Sequence, residues 1–392
     1  MEFIKKAPGV YKSEVILSLE PALPTGVPGF VGFVARDKRY PRTLGPPEPV
    51  TLHRKSDLDS SFESMSKGYL ADAVTGFFLN EGARCYIAAV EFNKDWDVKT
   101  QAKALIDALD TLAPRTDLDL IAIPDAMMLT DSREGQSVST EAVKLLQVEM
   151  LEHCRRNGGR MAILDSLPGQ DEQSVKQQRI TLSAGLTEPI DGALYYPWIR
   201  TDDGRLIPPS GHVAGVFARS DARAGVFKAP ANEEIRGALD FERLVTADAQ
   251  GSLNSEGINC LRAFPGRGIR VWGARTLSRD PDWRYISVRR LFLTLQRWID
   301  LNMAWVTFEP NTPQLWVRIT REVSSHLSEL WEAGALAGET ADEAFYVKCD
   351  TETNPQEAVD AGQTITEIGL APIAAAEFIV IRIVHHTAVE PR

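Results

Sequence analysis

From Phe30 to Tyr196 the chain alternates short apolar runs with stretches of helical periodicity, and this alternation constrains the fold more than any other feature. Runs of strand length stand at Phe30–Ala35, Cys85–Val90, Leu118–Ile123, Met161–Leu164 and Ala193–Tyr196. Between them Leu70, Ala73, Val74, Phe77 and Phe78 recur at i, i+3, i+4, i+7 and i+8, which is one buried helical stripe. Further helices are predicted near 99–112, 138–156 and 172–185. Strands separated by helices of this length require crossover connections, which are right-handed and build a mostly parallel sheet.

After Trp198 the pattern changes. A stretch punctuated by Gly and Pro runs from Gly204 to Gly237, and short strands are predicted at Ile258–Phe264 and Ile269–Trp272. Two long helices come next, at about 287–305 and 312–333, and then three strands, Ala344–Cys349, Ile365–Leu370 and Glu377–His385. A chain of 392 residues exceeds what one hydrophobic core usually serves. The sequence therefore predicts an α/β domain over 25–200, with helices flanking a mostly parallel sheet, and an α+β domain over 201–392. Ahead of both lies an extended arm, 1–24. In it Tyr11, Val15, Leu17 and Leu19 share one face with Ser13, while Lys12, Glu14 and Ser18 share the other with Val10 and Ile16. Pro21, Pro24, Gly26, Pro28 and Gly29 separate that strand from the body of the chain.

A sheet of this kind invites an enzyme, but the signatures are missing. There is no GxxxxGK[ST] phosphate loop, no GxSxG turn and no HExxH helix. Gly266-Arg267-Gly268 precedes a strand, whereas phosphate binding needs a strand before it and a helix after it, so it reads as a tight turn. Ser210 and His212 lie in a Gly/Pro-rich segment without an orienting third group, and read as a structural turn. His385 and His386 are neighbours on a strand and point to opposite faces, which disfavours a shared metal. Asp117 and Asp119 read as solvated turn charges. Cys85, Cys154, Cys260 and Cys349 are widely spaced, with no CxxC pair, and are expected to be buried thiols. No catalytic residue, cofactor or metal is expected. The net charge of −11 argues against a nucleic-acid partner, because phosphate binding draws on surplus Lys and Arg. Two lysines near the N-terminus lack an apolar run behind them, and no stretch approaches the roughly 20 apolar residues of a membrane span. Folding in a cytoplasm, without membrane insertion, is the expectation.

The richest signal is a series of short motifs in the second half. Tyr195-Tyr196-Pro197-Trp198 leads to Ile207-Pro208-Pro209-Ser210-Gly211-His212 and Arg219-Ser220-Asp221. Trp272-Gly273-Ala274-Arg275-Thr276-Leu277, Arg289-Arg290, Phe308-Glu309-Pro310-Asn311 and Leu315-Trp316 come after them in order. Looser matches stand at Pro8-Gly9-Val10-Tyr11 and Val27-Pro28-Gly29-Phe30. In content and order these resemble the contractile tail-sheath family; one departure is Asn80-Glu81-Gly82, where many members have Asn-Gly-Gly. The resemblance implies a structural protein and not an enzyme. It implies an inner domain facing a central tube, formed by 201–392 with the N-terminal arm, and an outer α/β domain. Hexameric rings would stack helically around an inner tube protein, with baseplate and cap proteins, and in some particles paralogous sheath subunits, as further partners. The setting implied is a phage tail or phage-tail-like particle assembled in a bacterial cytoplasm, with neighbours linked through exchanged terminal strands.

The residues suit that implication. The run Phe378, Ile379, Val380, Ile381, Ile383 and Val384 is apolar on both faces, and an exposed edge of that kind is hazardous unless a partner covers it. Ten extended residues reach roughly 30 Å, enough to enter a neighbouring subunit. The candidate exchanged positions are Tyr11, Val15, Leu17 and Leu19, together with Phe378, Ile379, Ile381 and Ile383. Arg284, Arg289, Arg290 and Arg297 cluster on or beside the first long helix of an acidic chain. They are candidates for contact with an acidic tube surface, the alternatives being a solvated helix face or internal ion pairs. Two other functions stay open: a sheath paralogue that caps the sleeve or joins it to the baseplate, and, more remotely, an α/β enzyme.

Overall fold

The structure, a computed structural model, describes residues 23–38, 48–131 and 137–374. β1 (Pro28–Asp37) is followed by β2 (Val50–Leu52), α1 (Lys55–Ser61), β3 (Phe62–Ser64), α2 (Leu70–Leu79) and β4 (Cys85–Glu91). Then come α3 (Val98–Asp110) and β5 (Leu120–Ala122), and a ribbon of β6 (Thr130–Asp131) with β7 (Ser137–Val138). The alternation continues through α4 (Thr140–Asn157), β8 (Met161–Asp165), α5 (Glu172–Ser183) and β9 (Gly192–Tyr196). Helices α3, α4 and α5 begin where Asp97, Ser139 and Asp171 turn a side-chain oxygen onto a backbone N–H of the first turn. A small sheet of β10 (Ile199–Arg200), β11 (Leu206–Ile207) and β12 (Asp240–Phe241) brackets α6 (Ser210–Ala224). Next are α7 (Ala247–Ser255), β13 (Ile258–Phe264), β14 (Gly268–Trp272), α8 (Ile286–Asn302) and α9 (Pro313–Glu332). α10 (Ala341–Ala344), β15 (Phe345–Lys348), α11 (Gln356–Asp360) and β16 (Glu367–Leu370) complete the described chain.

The main sheet runs β14-β13-β9-β8-β5-β1-β4-β2, with β3 paired to β1. From β13 through β4 every neighbour is parallel; β14, β2 and β3 join antiparallel at the margins. Its central strands are buried on both faces, which is why they read as continuous apolar runs and not as alternation. Val31 and Phe33 of β1 pack with Leu105, Leu109, Leu146 and Met150 of α3 and α4. Phe30 and Val34 point the other way, into Val74, Phe77, Val213, Phe217 and Leu293 of α2, α6 and α8. The result is three layers, with helices on both sides of one sheet. The four cysteines are buried and free.

Two expectations need correction. The division at residue 200 does not separate two cores, because β13, at 258–264, pairs in parallel with β9 and extends the same sheet. The strand pattern was legible, but nothing in a short apolar run says which sheet edge receives it. The Gly/Pro-rich stretch from 204 to 237 contains α6, a helix whose residues Ser210 to Asp221 are all buried. Its glycines serve close approach and not turning: a Cβ on Gly211 would lie 2.2 Å from Ala73 Cα of α2.

A smaller unit packs beyond the sheet. Trp316, Ile319, Val323 and Leu327 of α9 face Leu295 of α8 and the ribbon of β15 with β16, giving a separate core around Cys349. Trp298 stacks on His326 with ring centroids 4.0 Å apart, tying α8 to α9.

Candidate functional site

In a doubly wound sheet a ligand would bind outside the carboxyl ends of the strands where strand order reverses, here between β1 and β5. That place is filled by the chain itself. Asp125, just beyond β5, accepts Phe33 N–H at 2.6 Å and Tyr69 N–H at 2.5 Å, the latter at the start of α2. Asp165, at the end of β8, accepts Ser210 N–H at 2.8 Å at the start of α6. Two helix N-termini that could receive an anion are thus already satisfied by internal carboxylates. Among the described residues no group of His, Cys, Asp and Glu could hold a metal ion.

Ser210 and His212 are not a catalytic pair, and they lie in a helix and not in the expected turn. Two residues apart on α6, they face different neighbours. His212 packs its ring against Gly76 of α2, and burial pushes it down to about 4, so it stays neutral. Gly266-Arg267-Gly268 does form the expected tight turn, between β13 and β14, with both glycines at positive φ.

Burial pushes Asp165 up to about 7 and Asp125 up to about 6, against the pull of their amide donors. A carboxyl raised in the folded state contributes stability that is complete below its unfolded value of about 3.9 and is lost as pH rises through the folded value. The subunit is therefore expected to lose stability between about pH 4 and 7. Asp165→Asn keeps an acceptor for the Ser210 amide and removes the charge. It is expected to flatten this slope and to gain roughly 1–3 kcal/mol at alkaline pH. Urea unfolding across the range checks this, and a slope equal to that of the parent chain contradicts it.

Charge is used differently where the chain enters β1. Asp119 accepts Gly26 N–H at 3.0 Å and Val27 N–H at 2.7 Å. Arg290 of α8 donates to Asp119 at 2.7 Å and to both oxygens of Asp221 on α6, at 2.7 and 2.6 Å. Its guanidinium also lies over the Phe217 ring, 5.1 Å from the centroid. Further along α8, Arg297 donates to the Pro24 carbonyl at 2.8 Å and the Thr116 carbonyl at 3.3 Å. Gly26 has φ +66, and a Cβ there would lie 2.4 Å from Ala218 Cα, so only glycine fits this entry. Burial opposes the charge on Arg290, but Asp221 and Asp119 outweigh it and hold the guanidinium above its ordinary value.

The four arginines are therefore not one tube-facing cluster. Arg290 and Arg297 are only 2% and 7% exposed. Arg289 bonds Asp191 at 2.5 Å and lies over Trp283, and Arg284 alone of the four is exposed. Internal ion pairs are what the structure shows for Arg289 and Arg290, and Arg297 is bonded to backbone carbonyls. The sequence could not show the pairs, because the partners Asp119, Asp191 and Asp221 lie 171, 98 and 69 residues away. Asp119 is not a solvated turn charge but buried, and nearby Asp117 accepts the Tyr86 hydroxyl at 2.8 Å and pairs with Arg84. The available signal was an acid inside the apolar run Leu118–Ile123.

At the other end, β15 and β16 form a two-stranded antiparallel ribbon, Phe345 opposite Leu370 and Lys348 opposite Glu367. One side rests on the small core through Phe345, Val347, Ile368 and Leu370. Beyond β16 the chain is held against the segment after α9: Ala337 N–H donates to the Ala371 carbonyl and Ile373 N–H to the Ala335 carbonyl. The exchanged-strand candidates Tyr11, Val15, Leu17, Leu19, Phe378, Ile379, Ile381 and Ile383 lie outside the described residues.

Compared with known proteins, residues 99–277 match the phage tail sheath protein central domain and residues 278–385 the phage tail sheath C-terminal domain. The chain is similar to the helical sheath of the anti-feeding prophage in its contracted state, with 30% identity and a TM-score of 0.74, covering 97% of this chain and 99% of that one. It is similar also to the contracted sheath complex of PVC, an extracellular contractile injection system, with 30% identity, a TM-score of 0.71 and 98% of each chain covered. A prophage major tail sheath protein of Pseudomonas aeruginosa strain UCBPP-PA14 is 26% identical over 341 residues, 85% of this chain and 84% of that protein. These matches place the chain by sequence and by fold: it belongs to the phage tail sheath protein family, a structural family.

Proposed function

We propose that this chain polymerises helically around an inner tube as the bulk subunit of a phage-tail-like contractile particle, and that exchanged terminal strands join each subunit to its neighbours. The observation that carries the exchange is the β15–β16 ribbon: among the described residues its strands pair only with each other. Two strands alone are marginal in water, and open edges call for a partner strand. The N-terminal arm and the strand at 377–385 are suited to that addition, through main-chain hydrogen bonds and alternate side-chain pockets. In this reading the unit from α8 onward lies toward the tube and the three-layer unit lies outside, with Arg284 left as a candidate tube contact. Contraction would slide subunits past one another while the exchanged strands keep them linked.

A likeness to a chain of the anti-feeding prophage baseplate, 29% identical with a TM-score of 0.73, favours a second reading, a subunit that joins the sleeve to the baseplate. Copy number separates the two: hundreds per particle for a bulk subunit, about six for a terminal one. The exchange is tested by cysteines at Val15 and at successive positions from 378 to 384, in a background lacking the native four. Ladders of covalent oligomers are the expected product; an internally bridged monomer as the sole product contradicts the exchange.

A further inference from the structure

Both chain exits are held by one helix. Arg290 and Arg297 are seven residues apart on α8, hence on one face, and that face holds Pro24, Gly26 and Val27, directly or through Asp119. Leu291 sits about 100° around the helix from Arg290. It packs with Ala335, Leu336 and Ala344, the segment to which Ala371, Pro372 and Ile373 are hydrogen-bonded or bridged. On the other side of the arginine face from Leu291, Ile286 and Leu293 seat α8 in the main core. A packed helix moves as a body, because its side chains sit in discrete, close-packed arrangements. A shift of α8 that carries Arg290 and Arg297 must also carry Leu291.

We propose that α8 couples the N-terminal exit to the C-terminal exit, with Arg290 and Arg297 as positioning residues for the first and Leu291 for the second. Displacement of one terminal segment by a neighbour would then be transmitted through α8 to the other. The consequence for an assembled sleeve rests on the strand-exchange reading above; the coupling within one subunit does not, so the two can fail separately.

Hydrogen–deuterium exchange on the unassembled 392-residue chain tests the coupling. Arg297→Met removes the bonds to the Pro24 and Thr116 carbonyls, and Arg297→Lys restores a donor. Leu291→Ala loosens the other face and provides a second, independent variant should Arg297→Met not fold. In Arg297→Met, the amides of Gly26 and Val27 should exchange about tenfold faster, and those of Ala371 and Ile373 should also speed up. Leu291→Ala should show the reciprocal pattern, as any coupling between two sites requires. Amides of the central sheet, such as Val31 and Ile121, should keep their protection, and Arg297→Lys should return Gly26 and Val27 toward the parent rate. Faster exchange confined to the exit nearest each substitution would overturn the proposal. So would a uniform rise that includes the sheet, which would mean general destabilisation.

Discussion

Arg290→Met is expected to destabilise the subunit by about 3–5 kcal/mol, among the largest effects of any single change in the chain. The cause is uncompensated charge. Asp119 and Asp221 are buried within hydrogen-bond reach of the one guanidinium, and removing it leaves two carboxylates in a low-dielectric site without a bonded cation. The Asp119 amide donors, Gly26 and Val27, cannot replace a full positive charge, and the entry to β1 loosens with it. Such a loss is comparable to the whole stability of an ordinary domain, which is about 5–15 kcal/mol. Replacing all three charges, Arg290→Met with Asp119→Asn and Asp221→Asn, should recover much of the loss, because a neutral cluster carries no desolvation cost of ions. Denaturant midpoints of the single and triple variants measure both effects. A single variant within about 1 kcal/mol of the parent chain would mean that the cluster does not anchor the entry to β1.

The parallel sheet was legible in the sequence because its strands, buried on two faces, read as unbroken apolar runs, and because helical stretches such as the stripe of α2 stand between them. The long helices α8 and α9 were legible as well. Nothing decided by distant partners could be read. α6 was hidden because its glycines, placed for contact with Ala73 and Phe77 of α2, look like turn residues when taken alone. The parallel pairing of β13 with β9 depends on which sheet edge is open, and no local pattern records that. The arginines of α8 were visible as a charge cluster, but Arg289 and Arg290 are held by acids contributed by α6, the approach to β9 and the approach to β5, and Arg297 by distant backbone carbonyls. The motifs around Tyr196, Ser210 and Trp272 pointed to the family although the roles of several of their residues were misjudged. They mark packing between elements, such as the Trp198 indole donating to the Ser166 carbonyl and Asn259 bridging the Leu194 and Arg275 carbonyls. In an assembly protein such packing surfaces carry the function, so recognisable sequence can precede a correct physical account of it.

Deletion of residues 1–19 should separate folding from assembly. The described contacts of the N-terminal entry begin at Pro24, where Arg297, Asp119 and Arg290 take hold of the backbone. Pro21, Pro24 and Pro28 set the deleted segment apart from the body of the chain, so the truncated subunit should unfold at nearly the same denaturant concentration as the parent chain. Polymerisation is different. If each subunit lends its first strand to the open ribbon of a neighbour, removing that strand leaves every β15–β16 edge without its partner, and the loss should be complete and not graded. Electron microscopy and sedimentation of the parent and truncated proteins, side by side, measure this directly. Strand exchange predicts helical sleeves from the full chain and only folded, non-polymerising subunits from the truncated one. Sleeves of normal length and spacing formed by the truncated protein would contradict it.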